Sequence, residues 1–174
     1  HSAGIIKDNF IIKKSKDEFK VVLGPKVQGL ITIDEATKNL PLDVMILFSS
    51  MAGSLGNPGQ ADYGCGNAFM DRYAEYRNDL VKRKQRSGKT ISINWPLWQE
   101  GGMKVDKTLE KMMLEKWGLG ILKTKDGIKA LYESACLNKS QIMVLTGNLN
   151  KINTMIFRTS SVKTIPGNKH TELK

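Results

Sequence analysis

An unbroken apolar run from Val44 to Phe48 is the feature that most limits how this chain can fold. Such a run, without polar alternation, is typical of a strand in a parallel sheet that is covered on both faces. Ser49 and Ser50 follow at its carboxyl end, where open α/β sheets place their ligands. Tyr63 lies one Gly- and Pro-rich loop later, where a helix over 63–84 is predicted. The pattern therefore predicts polar side chains gathered at one edge of a sheet.

Further helices and strands alternate along the chain. A capping-box sequence from Ser15 to Glu18 predicts the start of a helix, and Pro25 predicts a kink or restart within it. The other predicted elements are strands over 91–95 and 141–146 and helices over 109–117 and 125–137. This order predicts an α/β fold with a parallel sheet. The strand and Gly-rich turn that open a dinucleotide-binding unit are not found in the sequence.

Composition restricts the class of protein. A length of 174 residues fits one domain or a large piece of one. No apolar run approaches the ~18 residues of a membrane span, and no signal-peptide pattern is present, so no membrane partner is predicted. Cys65 and Cys136 lack metal-ligand spacing. We therefore predict no metal site, and a reducing, cytoplasmic location is the simpler assumption.

The net charge of +10 raises the question of a nucleic-acid partner. The densest basic run, Lys82 to Arg86, lies where the long helix is predicted to end, and cations are favoured at that terminus. No stacking aromatic residues are interleaved with it. A solvated helix end is the favoured interpretation, so no nucleic-acid partner is predicted. A polyanion site and an acidic protein partner are the alternatives.

Lys26 falls on the apolar face of the first predicted helix, in line with Val22 and Leu30. A lysine at such a position is costly unless it has a partner or a task. The alternative is a lysine stem that lies along the edge of the core with its amine in water. The spacing alone leaves both interpretations open.

Four segments, HSAGIIKDN, PKVQG, LFSSMAGSLGNPGQADYGCGNAF and SINWPLWQEGGM, resemble the ketoreductase domain of modular polyketide synthases. This family is a branch of the short-chain dehydrogenase/reductases, and the likeness is strongest to bacterial trans-acyltransferase assembly lines. It spans residues 1–155 and implies the C-terminal part of a Rossmann-like, doubly wound parallel sheet without its first βαβ unit. Residues 156–174 are then expected to be a linker that leads to a carrier-protein domain.

The resemblance implies four catalytic residues. Tyr63 would donate a proton to the substrate oxygen, and Ser50 would hydrogen bond to the same atom. Most short-chain reductases have a lysine four residues after the tyrosine, where this chain has Asn67. In polyketide ketoreductases the lysine comes instead from a PKVxG motif, here Lys26. Its ammonium is expected to lower the pKa of Tyr63 and to bind the nicotinamide ribose. Taken singly, Tyr63, Ser50 and Asn67 are better explained as structural residues, and only their joint spacing favours catalysis.

The resemblance also implies contacts to cofactor and substrate. Ala3 and Gly4 match the segment that lines the adenosine and ribose side of NADPH. Pro96 and Leu97 match the loop beside the nicotinamide, although many relatives have Gly in place of Pro96. Met103, at the end of that loop, is expected on the substrate side.

Two further positions bear on stereochemistry. Asp8 matches the final acid of a Leu-Asp-Asp fingerprint found in ketoreductases that make a D-configured hydroxyl, and a surface acid on a loop is the alternative. Leu55 stands where enzymes of the opposite stereochemistry have a tryptophan. The resemblance therefore favours the D-configured product.

Together these residues imply NADPH-dependent reduction of a β-keto group in an acyl chain held on the phosphopantetheine of an acyl carrier protein. Expected partners are that carrier protein, the missing N-terminal part of the ketoreductase, and other synthase domains. Without a Gly-rich turn, the segment alone is expected to be inactive. The alternative is a non-catalytic reductase-like scaffold of a synthase module, but such scaffolds usually lack the tyrosine and the serine.

Overall fold

The computed structural model describes residues 1–103 and 105–157. The described residues form two compact units, one of residues 1–103 and 121–146 and the other of residues 105–120 and 147–157. After a 3-10 turn at Ile11–Lys13, the elements in chain order are α1 Lys16–Lys26, α2 Gln28–Ala36, β1 Val44–Ser50, α3 Met51–Leu55, α4 Ala61–Lys82, β2 Lys89–Trp95, α5 Lys107–Trp117, α6 Thr124–Cys136, β3 Gln141–Met143 and α7 Leu149–Phe157.

The three strands of the first unit form a parallel sheet in the order β1-β2-β3. The register sets Ser50 beside Trp95, so the carboxyl ends of β1 and β2 lie at the same edge. On the other side of β1, the His1 carbonyl accepts a hydrogen bond from the Phe48 amide at 2.9 Å. The His1 amino group also donates to the Ile46 carbonyl at 2.7 Å. The predicted α/β parallel sheet is confirmed.

The two faces of β1 are covered unequally, although its apolar run predicts a strand that is covered on both faces. On one face Met45 and Leu47 are buried against the helices, in a cluster with Leu30, Met70 and Ala74. On the other face Ile46 and Phe48 are half-buried against a second cluster, which is centred on β2. Val44, at the start of the strand, is 41% exposed.

The first two helices follow the sequence prediction closely. Ser15 and Glu18 form the expected capping box, with each side chain bonded to the backbone amide of the other residue. Pro25 lies in the last turn of α1, the helix ends at Lys26, and α2 begins at Gln28. The predicted restart is confirmed, and it makes Lys26 the last residue of its helix.

The structure corrects three local predictions. The segment after Ser50 was expected to be a loop, but Met51–Leu55 forms the short helix α3, because the Ser50 hydroxyl caps its first turn. Strand β3 ends at Met143, three residues earlier than predicted. Helix α7 was not predicted, and it overlaps the expected domain boundary at residue 155. Residues 158–174, which fall in the predicted linker, lie outside the described residues.

The second unit is built around α5 and α7, which contact each other. Asp106 caps α5 through the amide of Leu109 at 2.8 Å. The helix ends at Trp117 and is capped by Gly118, which adopts a left-handed conformation with φ 76°. The Lys151 ammonium of α7 donates to the Glu115 carbonyl near the end of α5 at 2.9 Å. Capping by Asp106 and Gly118 therefore sets the limits of the helix.

A buried ion pair fixes the carboxyl-terminal half of α4. The Arg77 guanidinium is fully buried and donates to the Asp34 carboxylate at 2.6 Å. Arg86 binds the same carboxylate, and Lys82 pairs with Asp79 on the helix surface. The basic run at the end of α4 is therefore partly neutralised by acidic neighbours, which supports its interpretation as a helix end.

Within residues 1–103 and 105–157, no helix is long and apolar enough to cross a membrane. That part of the chain also contains no group of three or more His, Cys, Asp or Glu side chains arranged to hold a metal ion.

Gly127 provides a test of packing in the first unit. A methyl group at this position of α6 would lie 2.4 to 2.8 Å from three ring carbons of Trp98. We expect Gly127→Ala to lower the free energy of unfolding by about 1–3 kcal/mol, because the indole ring must move out of a packed position. Urea denaturation of the purified chain measures this. Lys129→Ala, on the exposed side of the same helix, is the control and should change it by less than about 0.5 kcal/mol. Equal stability of Gly127→Ala and the parent chain would contradict the packing described here.

Candidate active site

Lys26 is buried at the end of α1, with 3% of the residue exposed. Its ammonium lies 3.4 Å from the Phe48 carbonyl of β1 and 5.3 Å from the centre of the Tyr63 ring of α4. The ammonium is therefore enclosed by a helix, a strand and an aromatic ring. An amine that reaches into bulk water, the alternative left open by the sequence, is not what the structure contains.

Two glycines leave room for the lysine stem. A methyl group at Gly66 of α4 would lie 3.2 Å from Cδ and 3.3 Å from Cβ of Lys26. One at Gly4, in the segment before α1, would lie 3.3 Å from Cε. The stem therefore runs between α4 and the N-terminal segment, at distances that leave little space for a side chain on either glycine.

Burial lowers the pKa of the Lys26 ammonium to about 8, because the charged form loses its hydration. The Asp71 carboxylate of α4 acts in the opposite direction and favours the charged form. A lysine with a pKa near 8 changes its charge within the range of ordinary working conditions. Such a shift in a buried lysine marks a candidate functional residue.

Tyr63 is 6% exposed and lies in the first turn of α4. Burial raises the pKa of its phenol, the Asp8 carboxylate acts in the same direction, and the Ser50 and Asn67 side chains lower it. The pKa of Tyr63 is therefore raised, whereas the sequence predicts that it is lowered. The Lys26 ammonium faces the ring of Tyr63, and desolvation of the phenolate is the largest influence.

The two serines at the end of β1 point to different surroundings. Ser49 is 4% exposed and its hydroxyl contacts the Asn67 carbonyl and the Asn94 amide. Ser50 is half-buried, and its hydroxyl oxygen accepts a bond from the Ala52 amide at 3.2 Å. Because that bond uses only the oxygen, the Ser50 proton stays available for a further acceptor.

Asn67 is fully buried one helical turn after Tyr63. Its side-chain NH₂ group donates to the Tyr63 carbonyl at 2.7 Å. Its amide oxygen has no hydrogen-bond partner among the described residues. A buried acceptor without a donor is rare and marks a place where a water or a ligand group completes the site.

A buried polar network, which sequence reasoning missed, lies behind these residues. Its centre is Asp71, whose carboxylate accepts bonds from Ser92 at 2.6 Å, Asn94 at 2.8 Å and Gln141 at 3.1 Å. The available signal was the spacing of Tyr63, Asn67 and Asp71, each four residues apart on one helical face.

The segment before α1 is fastened to the start of α4. The Lys14 ammonium pairs with the Asp62 carboxylate at 2.5 Å, and both side chains are 1% exposed. The second carboxylate oxygen of Asp62 accepts the Tyr63 amide at 2.8 Å. Asp8, which is exposed, accepts two bonds from the Gln60 side-chain amide at 3.0 and 3.1 Å. Asp8 is therefore held beside the loop that leads to Tyr63.

The other predicted positions lie around this centre. Ala3 and Gly4 are exposed, and Gly4 lies against the Lys26 stem. The loop after β2 begins with a buried Pro96 and a half-buried Leu97. Leu55, at the end of α3, is 43% exposed, and Met103 is 40% exposed. The described hydrogen bonds and ring contacts do not join Leu55 or Met103 to the four predicted catalytic residues.

Comparison with known proteins assigns the family. A family model described as the KR domain matches residues 1–100, more than half of the chain. The chain belongs to the KR (ketoreductase) domain family. A solved ketoreductase domain from the bacillaene assembly line matches with a TM-score of 0.87 and 50% identity. That match covers 89% of this chain and 37% of the solved one. The predicted Rossmann-like fold and the family resemblance are confirmed.

Curated relatives come from polyketide synthases. Polyketide synthases PksL and PksN of Bacillus subtilis (strain 168) are 48% and 50% identical to it over 163 and 152 residues. These matches cover 94% and 87% of this chain but only 4% and 3% of PksL and PksN. The KR chain therefore corresponds to a small part of very large multidomain relatives.

The Lys14–Asp62 pair is expected to stabilise the contact between the segment before α1 and the start of α4. Lys14→Met leaves the buried Asp62 carboxylate without its cation, so we expect the free energy of unfolding to fall by about 3–5 kcal/mol. Adding Asp62→Asn removes the uncompensated charge and keeps an oxygen for the Tyr63 amide, so the double variant should regain much of the loss. Urea denaturation measures both.

The exposed Lys111–Glu115 pair supplies the control for this prediction. Lys111→Met should change stability by less than about 1 kcal/mol, because surface ion pairs contribute little. A Lys14→Met variant as mild as Lys111→Met would show that the Lys14 pair is not buried in solution.

Proposed function

We propose that this chain is the catalytic, C-terminal part of a polyketide synthase ketoreductase. The reaction is transfer of hydride from NADPH to the β-carbonyl of an acyl chain held on the phosphopantetheine of an acyl carrier protein. The observation that supports it most strongly is the convergence of Lys26, Ser50, Tyr63 and Asn67, which come from three separate elements, at one end of the sheet.

The residues at this end of the sheet fit a nicotinamide cofactor. Lys26 has a buried ammonium with one long hydrogen bond, to the Phe48 carbonyl, and so keeps donors for a ribose hydroxyl. Gly4 allows a backbone segment to approach that ammonium closely. The buried amide oxygen of Asn67 lacks a donor among the described residues, which a bridging water would supply. When bound, NADPH supplies the hydride.

The chain's own residues then orient the substrate and transfer the proton. Ser50 donates its free proton to the substrate oxygen and fixes its position. Tyr63 keeps its proton over a wide pH range, because burial raises its pKa, and gives it to the oxygen as negative charge develops there. Lys26 holds the ribose, and Asn67 supports the Tyr63 backbone and a water relay.

The surroundings of Asp8 support a D-configured product. The carboxylate is held by Gln60 on the loop before Tyr63, and its charge acts on the phenol. Leu55 is an exposed aliphatic residue in place of the tryptophan of the opposite class. Met103, at the end of the loop after β2, is assigned to the substrate side. Residues 156–174 are proposed to lead to the carrier-protein domain.

Activity is tested by supplying the cofactor-binding part that the chain lacks. A chimeric domain is made by joining the N-terminal portion of the solved bacillaene ketoreductase domain to this chain. The junction is the point at which the matching part of the two structures begins. We expect it to oxidise NADPH with a β-keto thioester, and the isolated chain to show no turnover. Tyr63→Phe should lower kcat/KM of the chimera by roughly 10²- to 10⁴-fold, because the proton donor is lost.

Tyr76→Phe is the matched control, since this exposed tyrosine lies on the same helix as Tyr63. It should leave the rate unchanged. An active chimera in which Tyr63→Phe keeps the parent rate would refute the role given to Tyr63. A correctly folded chimera without activity would instead favour the non-catalytic scaffold.

Product stereochemistry is a separate expectation. The β-hydroxy thioester released by the active chimera should be the D-configured isomer, as measured by chiral chromatography against both standards. Asp8→Ala should lower the stereochemical excess, because the carboxylate beside Gln60 is removed. An L-configured product would contradict the assignment of Asp8 and Leu55.

A further inference from the structure

We infer that Asp71 is a positioning residue for this site, with a buried carboxylate that orients Ser50 through Asn94 and supplies the counter-charge for Lys26. The inference rests on the proposed function and extends it to a residue two helical turns beyond Tyr63. Asp71 is 2% exposed and contacts neither substrate nor cofactor in this proposal. It acts through its neighbours.

The first part of the inference follows from the hydrogen bonds of Asn94. Its side-chain NH₂ group donates to the Asp71 carboxylate at 2.8 Å, which fixes the orientation of the amide. The same NH₂ group lies 3.0 Å from the Ser50 carbonyl and 3.1 Å from the Ser49 hydroxyl. Asp71 therefore reaches the backbone of Ser50 through a single intermediate side chain.

The network also ties the three strands to α4. Asp71 accepts from Ser92 of β2 and from Gln141 of β3, while Gln141 donates to the Asn94 oxygen at 2.9 Å. The Ser49 hydroxyl of β1 contacts the Asn67 carbonyl at 3.3 Å. These contacts fix the sheet against the helix face that carries Tyr63 and Asn67. A buried hydrogen-bonded network of this kind holds its members in one arrangement.

The second part concerns charge. Asp71 makes no ion pair among the described residues, although burial of an unpaired carboxylate is costly. The Lys26 ammonium also has no acidic partner at contact distance among those residues. It is the cation on which the field of the Asp71 carboxylate acts. The Lys26 stem packs on α4 at Gly66, five residues before Asp71 on the same helix. The Tyr63 ring of that helix also faces the ammonium, with its centre 5.3 Å away. Asp71 favours the charged form of the lysine, against the effect of burial.

Hydrogen bonding alone does not require a carboxylate at this position. In Asp71→Asn, the amide oxygen would still accept from Asn94 and Gln141, and the new NH₂ group would donate to the Ser92 hydroxyl, which can rotate to accept. The geometry is therefore compatible with a neutral residue. The negative charge of Asp71 is what the substitution removes.

The experiment uses the chimeric domain and compares Asp71→Asn with the parent. Loss of the negative charge disfavours the ammonium, so the Lys26 pKa should fall further below about 8. The alkaline limb of kcat/KM should then move to lower pH by about one unit, with roughly tenfold lower kcat/KM above that limb. Below it the rate should stay within about threefold of the parent, because Lys26 is charged in both proteins.

A direct measurement accompanies the kinetics. The Lys26 pKa is followed by NMR of domain labelled with ¹³C-lysine, with the signal assigned by its loss in Lys26→Arg. Asp79→Asn is the matched control, since it removes the same charge from an exposed position of the same helix. It should shift neither the Lys26 pKa nor the alkaline limb.

Asn94→Ala separates the two parts of the inference. It breaks the link to Ser50 and keeps the Asp71 charge, so kcat should fall at every pH while the alkaline limb stays in place. If Asp71→Asn fails to fold, Asp71→Ser removes the same charge with a smaller side chain. If the Lys26 pKa does not move in a folded Asp71→Asn or Asp71→Ser variant, the electrostatic part of the inference is overturned. If kcat is unchanged in Asn94→Ala, the positional part is overturned. An inactive parent chimera would count against the proposed function, while the NMR titration would still decide the electrostatic part.

Discussion

The enclosure of the Lys26 ammonium between α1, β1 and α4 is the interaction on which the rest of the site depends. It exists because Pro25 ends α1 in a way that leaves Lys26 as its last residue, turned toward the sheet. Gly66 then allows α4 to pass within contact distance of the lysine stem. A single buried cation thus sets both the spacing of two helices and the place where a nucleotide ribose is proposed to bind.

Helix α4 carries two separate buried polar clusters at different positions along its length. Near its start, Tyr63, Asn67 and Asp71 face the carboxyl end of the sheet, where hydrogen bonds leave one acceptor free. Near its end, the Arg77 guanidinium donates to the Asp34 carboxylate, to two carbonyls in the segment before β2 and to the Thr90 hydroxyl of β2. The second cluster fastens the helix, while the first has unused bonding capacity. Unused capacity in a buried site is what distinguishes a place for chemistry from a structural ion pair.

Sequence reasoning reached the sheet, most of the helices and the cluster around Tyr63, because these follow from local periodicity and from motif spacing. The apolar run of β1, the capping box at Ser15 and the break at Pro25 each have a cause within a few residues. Asp71 and its partners were missed because they come from α4, β2 and β3, and only the fold brings them together. The direction of the Tyr63 pKa was wrong for a related reason, since burial is a property of the tertiary structure.

Burial acts on Lys26 and Tyr63 in opposite directions because the charged form of lysine is protonated and that of tyrosine is not. One low-dielectric environment therefore keeps the proton on the phenol and tends to remove it from the amine. For a site that needs both groups protonated, the raised pKa of the phenol is favourable and the lowered pKa of the amine is unfavourable. A buried negative charge partly offsets this loss by acting on the lysine. Its own oxygens are satisfied by neutral donors, and among the described residues no ion pair forms at the amine. The amine then stays free for a ligand, and this freedom explains why the counter-charge sits behind the site and not within it.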